Sequence, residues 1–242
     1  MVLGAAEKNR FLNELPPAAR TVLEQHMSVH GGAIGDVLQA ENARLDAAWF
    51  PLSGMVSSLR RLEGDVKVEV DAAGTEGFLG IELVLGSRHA VDTWLVQSPG
   101  RFGRVDAKAF VSLLERDAAV REAAFRYANA VLAVRGQWVA CNARHTIEQR
   151  LAKWLLVTRD RVGGEISVTQ DVVAMMLGVR RASVVTVLGR FVDEGIVNHG
   201  YARIGVVDDR GLRARACNCY SRAADLLFRL GSTSPIPASE AG

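Results

Sequence analysis

The sequence predicts an α+β protein with a β-rich N-terminal domain, one long helix and a smaller C-terminal domain of short helices and a hairpin. Three observations predict this order. Glycines recur among short apolar segments from about residue 30 to residue 105, an unbroken apolar helix pattern follows, and Gly178 separates two short helices near the carboxyl end. We therefore divide the chain into an N-terminal domain at 1–116, a long helix at 117–142, a C-terminal domain at 143–230 and a disordered tail at 231–242.

The composition argues against several protein classes. Of the 242 residues, 49% are hydrophobic, so the chain can build packed cores. Three cysteines do not make a disulfide framework, and no apolar run reaches the roughly 18 residues that a membrane helix needs. The N-terminus has no basic segment ahead of an apolar stretch, so we do not expect a signal peptide. The expectation is a cytoplasmic protein with no membrane partner.

The N-terminal domain has the pattern of an all-β barrel or sandwich. Val66, Val68 and Val70 alternate with Lys67 and Glu69, which is the period-two signature of a half-buried strand. Many short strands at close turn spacing are typical of such folds.

The long helix has apolar residues around nearly its whole circumference, and Asp117 can cap its start. Two neighbouring seams repeat every seven residues: Phe125, Leu132 and Val139, and Ala124, Val131 and Trp138. Because a β domain offers a helix only one side, we expect a second copy of the chain on the other. The contacting residues would be Phe125, Ala128, Leu132 and Val139. The alternative is a helix buried within a monomer.

Residues 169–191 have the sequence form of a helix-turn-helix. Thr169 can cap a first short helix, and Ala174 is small where two helices would cross. Gly178 stands where a left-handed residue is needed, and the apolar Val184 follows six positions later.

The second helix of this motif starts against a local rule. Arg180 and Arg181 occupy a positive helix end that favours Ser, Asp or Asn, and a polyanion would compensate for the repulsion. Residues 144–230 contain 14 Lys and Arg against 9 Asp and Glu, whereas residues 1–143 contain 15 against 17. This asymmetry places any nucleic acid at the carboxyl-terminal half, although solvated arginines are the alternative.

A hairpin follows the two helices, from Gly195 to Val207, with its tip expected at Asn198 to Tyr201. A hairpin in this place makes a winged helix-turn-helix, and its tip can touch the sugar-phosphate backbone. One last helix is expected from about Leu212 to Leu230.

In this order the parts resemble the Crp/Fnr family of bacterial transcription regulators. The resemblance spans Asn9 to Leu230 and is strongest over Val168–Leu188, while residues 142–152 look like the family's approach to its DNA-binding domain. It implies an N-terminal β-roll that senses an effector and a homodimer joined through the long helix. It also implies recognition of a palindromic DNA operator and activation or blocking of RNA polymerase.

The resemblance further implies roles for single residues. Thr169, Gln170 and Ser183 fall at phosphate contacts, where Arg180 would join them, and Arg181 falls at a base-reading position. Ala182 stands where the best-known members have Glu, and Thr186 stands where they have a second Arg. The preferred DNA half-site should therefore differ from that of the cAMP-responsive members. The expected DNA-contacting set is Thr169, Gln170, Arg180, Arg181, Ser183, Thr186, Arg190, His199 and Arg203.

The family's effector pocket is altered. Its cyclic-nucleotide site needs a Gly-Glu pair and an Arg-Ser pair, yet here Ile81 follows Gly80, with Glu82 displaced by one, and Val91 and Asp92 stand at the Arg-Ser positions. A carboxylate opposite a phosphate is repulsive, so we do not expect cAMP, and the effector stays unknown. The weakly defined pocket comprises Phe78, Gly80, Glu82, Asp92 and Thr93.

The sequence gives no positive signal for a metal or an enzyme. Oxygen-sensing members hold an iron–sulfur cluster with four cysteines, whereas this chain has Cys141, Cys217 and Cys219. Neighbours two apart on a helix point to different sides, so we expect packed thiols and no metal site. The spacing of the histidines does not indicate a metal site, although it does not exclude haem or zinc. The sequence has no nucleophile–base pattern, Walker loop or dinucleotide fingerprint of an enzyme.

Two alternatives remain at this stage. The winged helix could dock a protein instead of DNA in a ligand-sensing interaction protein. The N-terminal domain could also work without an effector, with Trp49, Trp94 and Phe78 filling its interior.

Overall fold

The computed structural model describes residues 9–231. The N-terminal domain consists of α1 (Arg10–Glu14), α2 (Pro17–Gln25), β1 (Met27–Gly32), β2 (Val37–Gln39), β3 (Ala47–Pro51), β4 (Met55–Arg61), β5 (Lys67–Ala73), α3 (Ile81–Val84), β6 (Thr93–Ser98), β7 (Gly100–Asp106) and α4 (Ala107–Arg116). The long helix is α5 (Ala118–Arg144). The remaining elements are α6 (Ile147–Val162), β8 (Ile166–Ser167), α7 (Gln170–Leu177), α8 (Arg181–Asp193), β9 (Val197–Gly200), β10 (Arg203–Val206), α9 (Asp209–Arg215) and α10 (Cys219–Gly231). The α+β fold class and the predicted order of parts are confirmed.

Two antiparallel sheets form the β-roll. One has the strand order β1-β7-β3 and the other β2-β6-β4-β5. The register of the first sheet joins Met27 to Val105 at one end and Gly32 to Gly100 at the other. The interior of the roll lies between these two sheets. Helices α1, α2, α4 and α5 contribute side chains to the same hydrophobic core.

An aromatic cluster fills the roll beneath α5. The Phe78 ring lies 5.3 Å from the Phe50 ring, 5.5 Å from Phe110 and 4.8 Å from Tyr127 of α5, measured between centroids. A Cβ atom at Gly77 would lie 2.0 Å from the Tyr127 ring, so only glycine lets the chain pass this close to α5. Aromatic contact therefore joins the roll to the long helix.

The two seams of α5 face different ways. Asp117 caps the helix by accepting hydrogen bonds from the backbone N–H groups of residues 119 and 120. Ala124 and Val131 of one seam are buried against the roll. Phe125, Leu132 and Val139 of the other seam are 49%, 50% and 70% exposed. An apolar stripe thus lies on the outer face of the helix.

Ala128 does not belong to this outer stripe. Its side chain is 1% exposed and lies in the same hydrophobic core as the roll aromatics. Our placement of Ala128 in a contact with a second chain is therefore wrong, because Ala128 lies four residues after Ala124 and three before Val131, on the face that packs against the roll.

The C-terminal domain begins with a well-capped helix. Thr146 and Gln149 form a reciprocal capping box at the start of α6, and Gly163 ends the helix in a left-handed conformation with φ 69°. Strand β8 precedes the helix-turn-helix and pairs with β10 of the hairpin that follows it, which gives the small sheet β8-β10-β9. The hydrophobic cluster of this domain includes Leu59 of the roll, and Leu95 of the roll packs against it. The two domains consequently share one hydrophobic cluster.

The last helix differs from the prediction. The expected continuous helix from Leu212 to Leu230 is two helices, α9 and α10, with a break at residues 216–218. After the break α10 packs along α5, where Gln137 donates a hydrogen bond to the Cys219 Sγ atom over 3.0 Å. The carboxyl end of the described chain therefore returns to the long helix. The predicted disordered tail lies outside the described residues, apart from Gly231, which ends α10.

Within residues 9–231, no single helix combines the length and apolar character of a membrane span.

Candidate nucleic-acid interface

The helix-turn-helix is formed by α7 and α8, between which the chain bends by 112°. The Thr169 side chain accepts a hydrogen bond from the Val172 N–H over 3.3 Å and caps α7. Gly178 ends α7 in a left-handed conformation with φ 62°. Two sequence signals, a cap and a glycine, therefore define the motif as predicted.

Gly178 has a second reason to be glycine. A Cβ atom at this position would lie 2.5 Å from a methyl carbon of Val68 on strand β5. The turn between α7 and α8 thus rests directly on the roll, so the orientation of the helix-turn-helix depends on the N-terminal domain.

The N-terminus of α8 is cationic and uncapped. Arg180 occupies the cap position with extended backbone and makes no side-chain cap hydrogen bond. The Arg181 Nε atom lies 3.4 Å from an Asp171 carboxylate oxygen in α7, and both side chains are well exposed. Such an exposed pair is weak and readily exchanged, so the guanidinium is available to another anion. The positive end of the helix dipole adds to the attraction.

The wing lies beside the start of α7. The Val168 N–H donates a hydrogen bond to the Ala202 carbonyl over 2.9 Å, which places the turn of the hairpin next to Thr169. Arg203 pairs with Ser167 in the sheet, and its guanidinium lies 3.7 Å from Glu165. The structure consequently brings Thr169, Gln170, Arg181 and Arg203 to one edge of the domain.

The tip of the wing is shorter than predicted. Gly200 pairs with Arg203, so the turn consists of Tyr201 and Ala202 alone. His199, which we expected at the tip, lies within strand β9 opposite Ile204 and is exposed there. Two-residue turns connect hairpins tightly, which explains why the strands continue further than the expected tip at Asn198 to Tyr201.

The remaining members of the expected set lie along α8. Ser183 is half-buried in its first turn. The Thr186 hydroxyl donates to the Ala182 carbonyl over 3.0 Å, which leaves its oxygen lone pairs and its methyl group for a partner. Arg190 lies nine residues after Arg181, about 13 Å along the helix. There its guanidinium is 3.0 Å from a Glu148 carboxylate that also binds Arg215.

Two exposed side chains on this edge were not in the expected set. Val185 projects from α8 one turn after Arg181, and Tyr201 at the wing turn is fully exposed. The sequence contained a signal for Val185, because an apolar residue four positions after Arg181 lies on the same helix face as that arginine.

The predicted effector pocket is occupied by the protein's own charges. Asp92 is fully buried, with its carboxylate 2.5 Å from Arg60 Nε and 3.4 Å from an Arg135 guanidinium nitrogen. Arg135 belongs to α5 and also lies 3.3 Å from Asp71. The long helix thus supplies the cation that neutralises two carboxylates of the roll.

Burial and neighbouring charges shift the pKa values of the ionisable groups in this region. Burial raises the pKa of Asp71, and it also raises the pKa of Glu82. Burial alone would lower the pKa of Arg135, but Asp71 and Asp92 outweigh it and raise that pKa. The space between Phe78, Gly80, Glu82 and Arg135 is about 20 Å³, which holds about one water molecule. Phe78, Gly80 and Glu82 of the predicted pocket line this space, whereas Asp92 and Thr93 do not.

Polar contacts also join the roll to α6. Trp154 Nε1 donates to a Glu69 carboxylate oxygen over 3.0 Å, and Arg161 lies 2.7 Å from Glu76. Beside them a cavity of about 330 Å³ lies between the roll, α6 and α10. This space is of ligand size and touches both domains and α10.

The cysteines do not lie as their sequence spacing predicted. Cys217 precedes α10 and Cys219 begins it, so the two residues are not inside one helix. Their thiols lie together with Cys141 and His145. The premise that Cys217 and Cys219 point to different sides is therefore wrong.

Comparison with known proteins identifies the C-terminal domain. The sequence of residues 149–215 matches the family described as the Crp-like helix-turn-helix domain. The chain carries a Crp-like helix-turn-helix domain. No curated protein matches the sequence.

The whole fold is that of Crp/Fnr regulators. A CRP-family transcriptional regulator from Thermus thermophilus superposes with a TM-score of 0.67 at 16% identity, covering 77% of this chain and 96% of the other. FixK2 from Bradyrhizobium japonicum gives 0.65 at 15% identity, covering 79% and 98%. A Crp/Fnr-family regulator from Eubacterium rectale gives 0.63 at 17% identity, covering 84% and 95%. The resemblance indicated by the sequence is confirmed at the level of the fold.

Proposed function

We propose that the protein is a sequence-specific DNA-binding transcription regulator that acts as a homodimer on a palindromic operator. The observation that carries this proposal is the uncapped, doubly cationic N-terminus of α8, which stands beside Gln170 and the wing on one exposed edge. Arg181 reads a base, while Thr169, Gln170, Ser183 and the wing hold phosphates. RNA polymerase is the proposed downstream partner, and we propose no catalytic activity.

The outer stripe of α5 supports the homodimer. Between Phe125, Leu132 and Val139 lie Asn129 and Gly136, so exposed positions alternate at spacings of four and three residues. This is the repeat of a two-stranded coiled coil. Nothing lies within 4 Å of the position that a Gly136 Cβ would occupy, so a second helix can approach closely there. Two copies joined here would present two α8 helices to two half-sites.

The sensor function does not involve cAMP in our proposal. Arg135 and Arg60 already neutralise Asp92, and a cyclic phosphate would have to displace Arg135 from two carboxylates in a space of about 20 Å³. We place an effector instead in the 330 Å³ cavity between the roll, α6 and α10. In isothermal titration calorimetry, cAMP should give no binding heat with the full chain.

Selection from a random DNA library tests the central proposal. The full chain should enrich a palindrome with half-site centres about 34–36 Å, or one helical turn, apart, or a multiple of that distance. The affinity for the selected site should fall steeply as salt increases, because lysines and arginines release counterions from phosphates. An unenriched library at low salt, together with a protein captured by the winged helix, would support the protein-docking alternative and overturn the proposal.

A further inference from the structure

Four side chains with metal-binding atoms meet at the carboxyl end of α5. Cys141 lies in its last turn, His145 follows its last residue, Cys217 lies in the break before α10, and Cys219 begins α10. The four ligand atoms all lie within 4.8 Å of one another. The Cys141 and Cys217 sulfurs are 3.6 Å apart, and the Cys219 sulfur lies 3.5 Å from His145 Nδ1.

The local backbone explains why these atoms converge. The His145 N–H donates to the Cys141 carbonyl over 3.0 Å, so both side chains project from one face a turn apart. The Tyr220 N–H donates to the Cys217 carbonyl over 3.2 Å, and this turn directs both neighbouring thiols toward α5. Two pairs from distant parts of the sequence therefore face each other.

The spacing fits a single metal ion. Zinc bonds of about 2.3 Å to sulfur and 2.0–2.1 Å to nitrogen give a tetrahedron with edges of about 3.5–3.8 Å. The distances of 3.6 Å and 3.5 Å have this length. An iron–sulfur cluster would hold ligand atoms on different irons further apart than the four atoms are here, because iron and sulfide atoms lie between them. Three sulfurs and one imidazole are a common zinc ligand set.

The surroundings suit a thiolate-bound cation. The three cysteines are buried, and Gln137 donates an N–H to the Cys219 sulfur as an outer-shell partner would. Zinc with three thiolates carries one net negative charge. Arg150 and Lys153 of α6 act electrostatically on these thiols, and the Lys153 ammonium lies 3.9 Å from the centre of the Trp138 ring. Two cations therefore compensate the site's charge.

We propose that Cys141, His145, Cys217 and Cys219 bind one zinc ion in a closed tetrahedral site. Each bound thiol releases its proton to solvent. The ion joins α10 to the end of α5, at the junction where α6 and the DNA-binding domain begin. This proposal does not depend on DNA binding, and the match to the Crp-like domain ends at residue 215, before Cys217.

The site also lies one contact away from the helix-turn-helix. Arg150, which interacts with the thiols, donates a hydrogen bond to the carbonyl of Leu177, the last residue of α7. The charge of a zinc–thiolate site would therefore act on a side chain that holds the end of α7.

Metal analysis of the full chain tests the proposal. Protein purified with a thiol reductant and equilibrated with Zn²⁺ should retain one zinc per chain after gel filtration, measured by plasma mass spectrometry. Replacement by Co²⁺ should give a sulfur-to-cobalt charge-transfer band and the intense visible bands of a tetrahedral site. Folded, reduced protein that retains no zinc, or an octahedral cobalt spectrum, or retention of iron with sulfide instead, would overturn it.

Variants assign the ligands. Cys219→Ser and His145→Asn should lose stoichiometric zinc and the rise in melting temperature that zinc gives the native protein. Gln137→Ala keeps all four ligands, so it should fold and weaken zinc affinity by about 10- to 100-fold. His89→Asn, an exposed histidine on the roll, is the matched control and should bind zinc normally. Unchanged zinc binding in Cys219→Ser, His145→Asn and Gln137→Ala would refute the assignment.

Discussion

At the scale of single residues, Asp92 decides what the roll can bind. A buried carboxylate needs a cation, and the nearest are Arg60 from β4 and Arg135 from α5. The sequence predicted repulsion of a phosphate at this position. It could not predict the partner, because Arg135 lies 43 residues away and meets Asp92 only when α5 packs on the roll.

Removing Arg135 should therefore destabilise the protein. Arg135→Ala leaves Asp92 with one partner and is expected to lower the free energy of unfolding by about 3 kcal/mol, the lower end for a broken buried pair. Urea denaturation measures this loss. Arg104→Ala, which removes an ion pair with the exposed Asp46, is the control and should cost about 0–1 kcal/mol. Equal losses in the two variants would contradict the importance of the Asp92 network.

Residue patterns also explain the error at the cysteines. The stretch from Leu212 to Tyr220 contains neither glycine nor proline, so it indicated a continuous helix. The break at residues 216–218 arises because α9 packs on α6 whereas α10 packs on α5. Tertiary packing overrode a local pattern, and with it the direction of both thiols. The i, i+4 pair of Cys141 and His145 was the signal available in the sequence.

At the scale of elements, α5 has one face for each neighbour. The heptad spacing predicted both seams, and burial distinguishes them: Ala124 and Val131 face the roll, while Phe125, Leu132 and Val139 face outward. The sequence alone could not separate the faces, because Ala128 has the same apolar character as residues of either seam. The cap at Thr169 and the glycine at Gly178 were predictable because each has a local cause.

A charge in the outer stripe should separate the two copies. Leu132→Glu places like charges opposite each other along the proposed coiled coil and should convert the dimer to a monomer. Analytical ultracentrifugation measures the change. Val66→Glu, at an equally exposed apolar residue in the β4–β5 connection, should leave the dimer intact. A monomeric native protein, or a dimeric Leu132→Glu variant, would show that the stripe is not the dimer contact.

At the scale of the whole molecule, polar contacts join the roll to the C-terminal domain beside their shared hydrophobic cluster. Glu69 of β5 accepts hydrogen bonds from Ser57 and from Trp154 of α6. Burial raises the pKa of Glu69 above its usual 4.5 despite these bonds. The folded protein therefore holds this proton more tightly than the unfolded chain does. The resulting stability is fully present below pH 4.5 and is lost as the pH rises through the raised pKa.

Glu69→Gln should remove this pH dependence while keeping an acceptor for the Trp154 N–H. Relative to the variant, the native protein should lose unfolding free energy as pH rises from about 4.5 toward neutrality. Denaturant unfolding at a series of pH values measures the difference in unfolding free energy between the native protein and the variant. The contributions of the other carboxyl groups are the same in both proteins and cancel in this difference. Glu115→Gln on the exposed face of α4 is the control. Parallel curves for the native protein and Glu69→Gln would refute the role of Glu69.

The proposed recognition of DNA depends on Arg181 reading a base at the exposed start of α8. Its most direct test is fluorescence anisotropy with the selected operator and with versions changed at each base pair. Arg181→Ala should lose about 1–3 kcal/mol of discrimination at one position of each half-site, whereas Gln170→Ala should weaken all sequences about equally. Arg101→Ala on the roll is the control. Wild-type affinity and base preference in both variants would contradict the account.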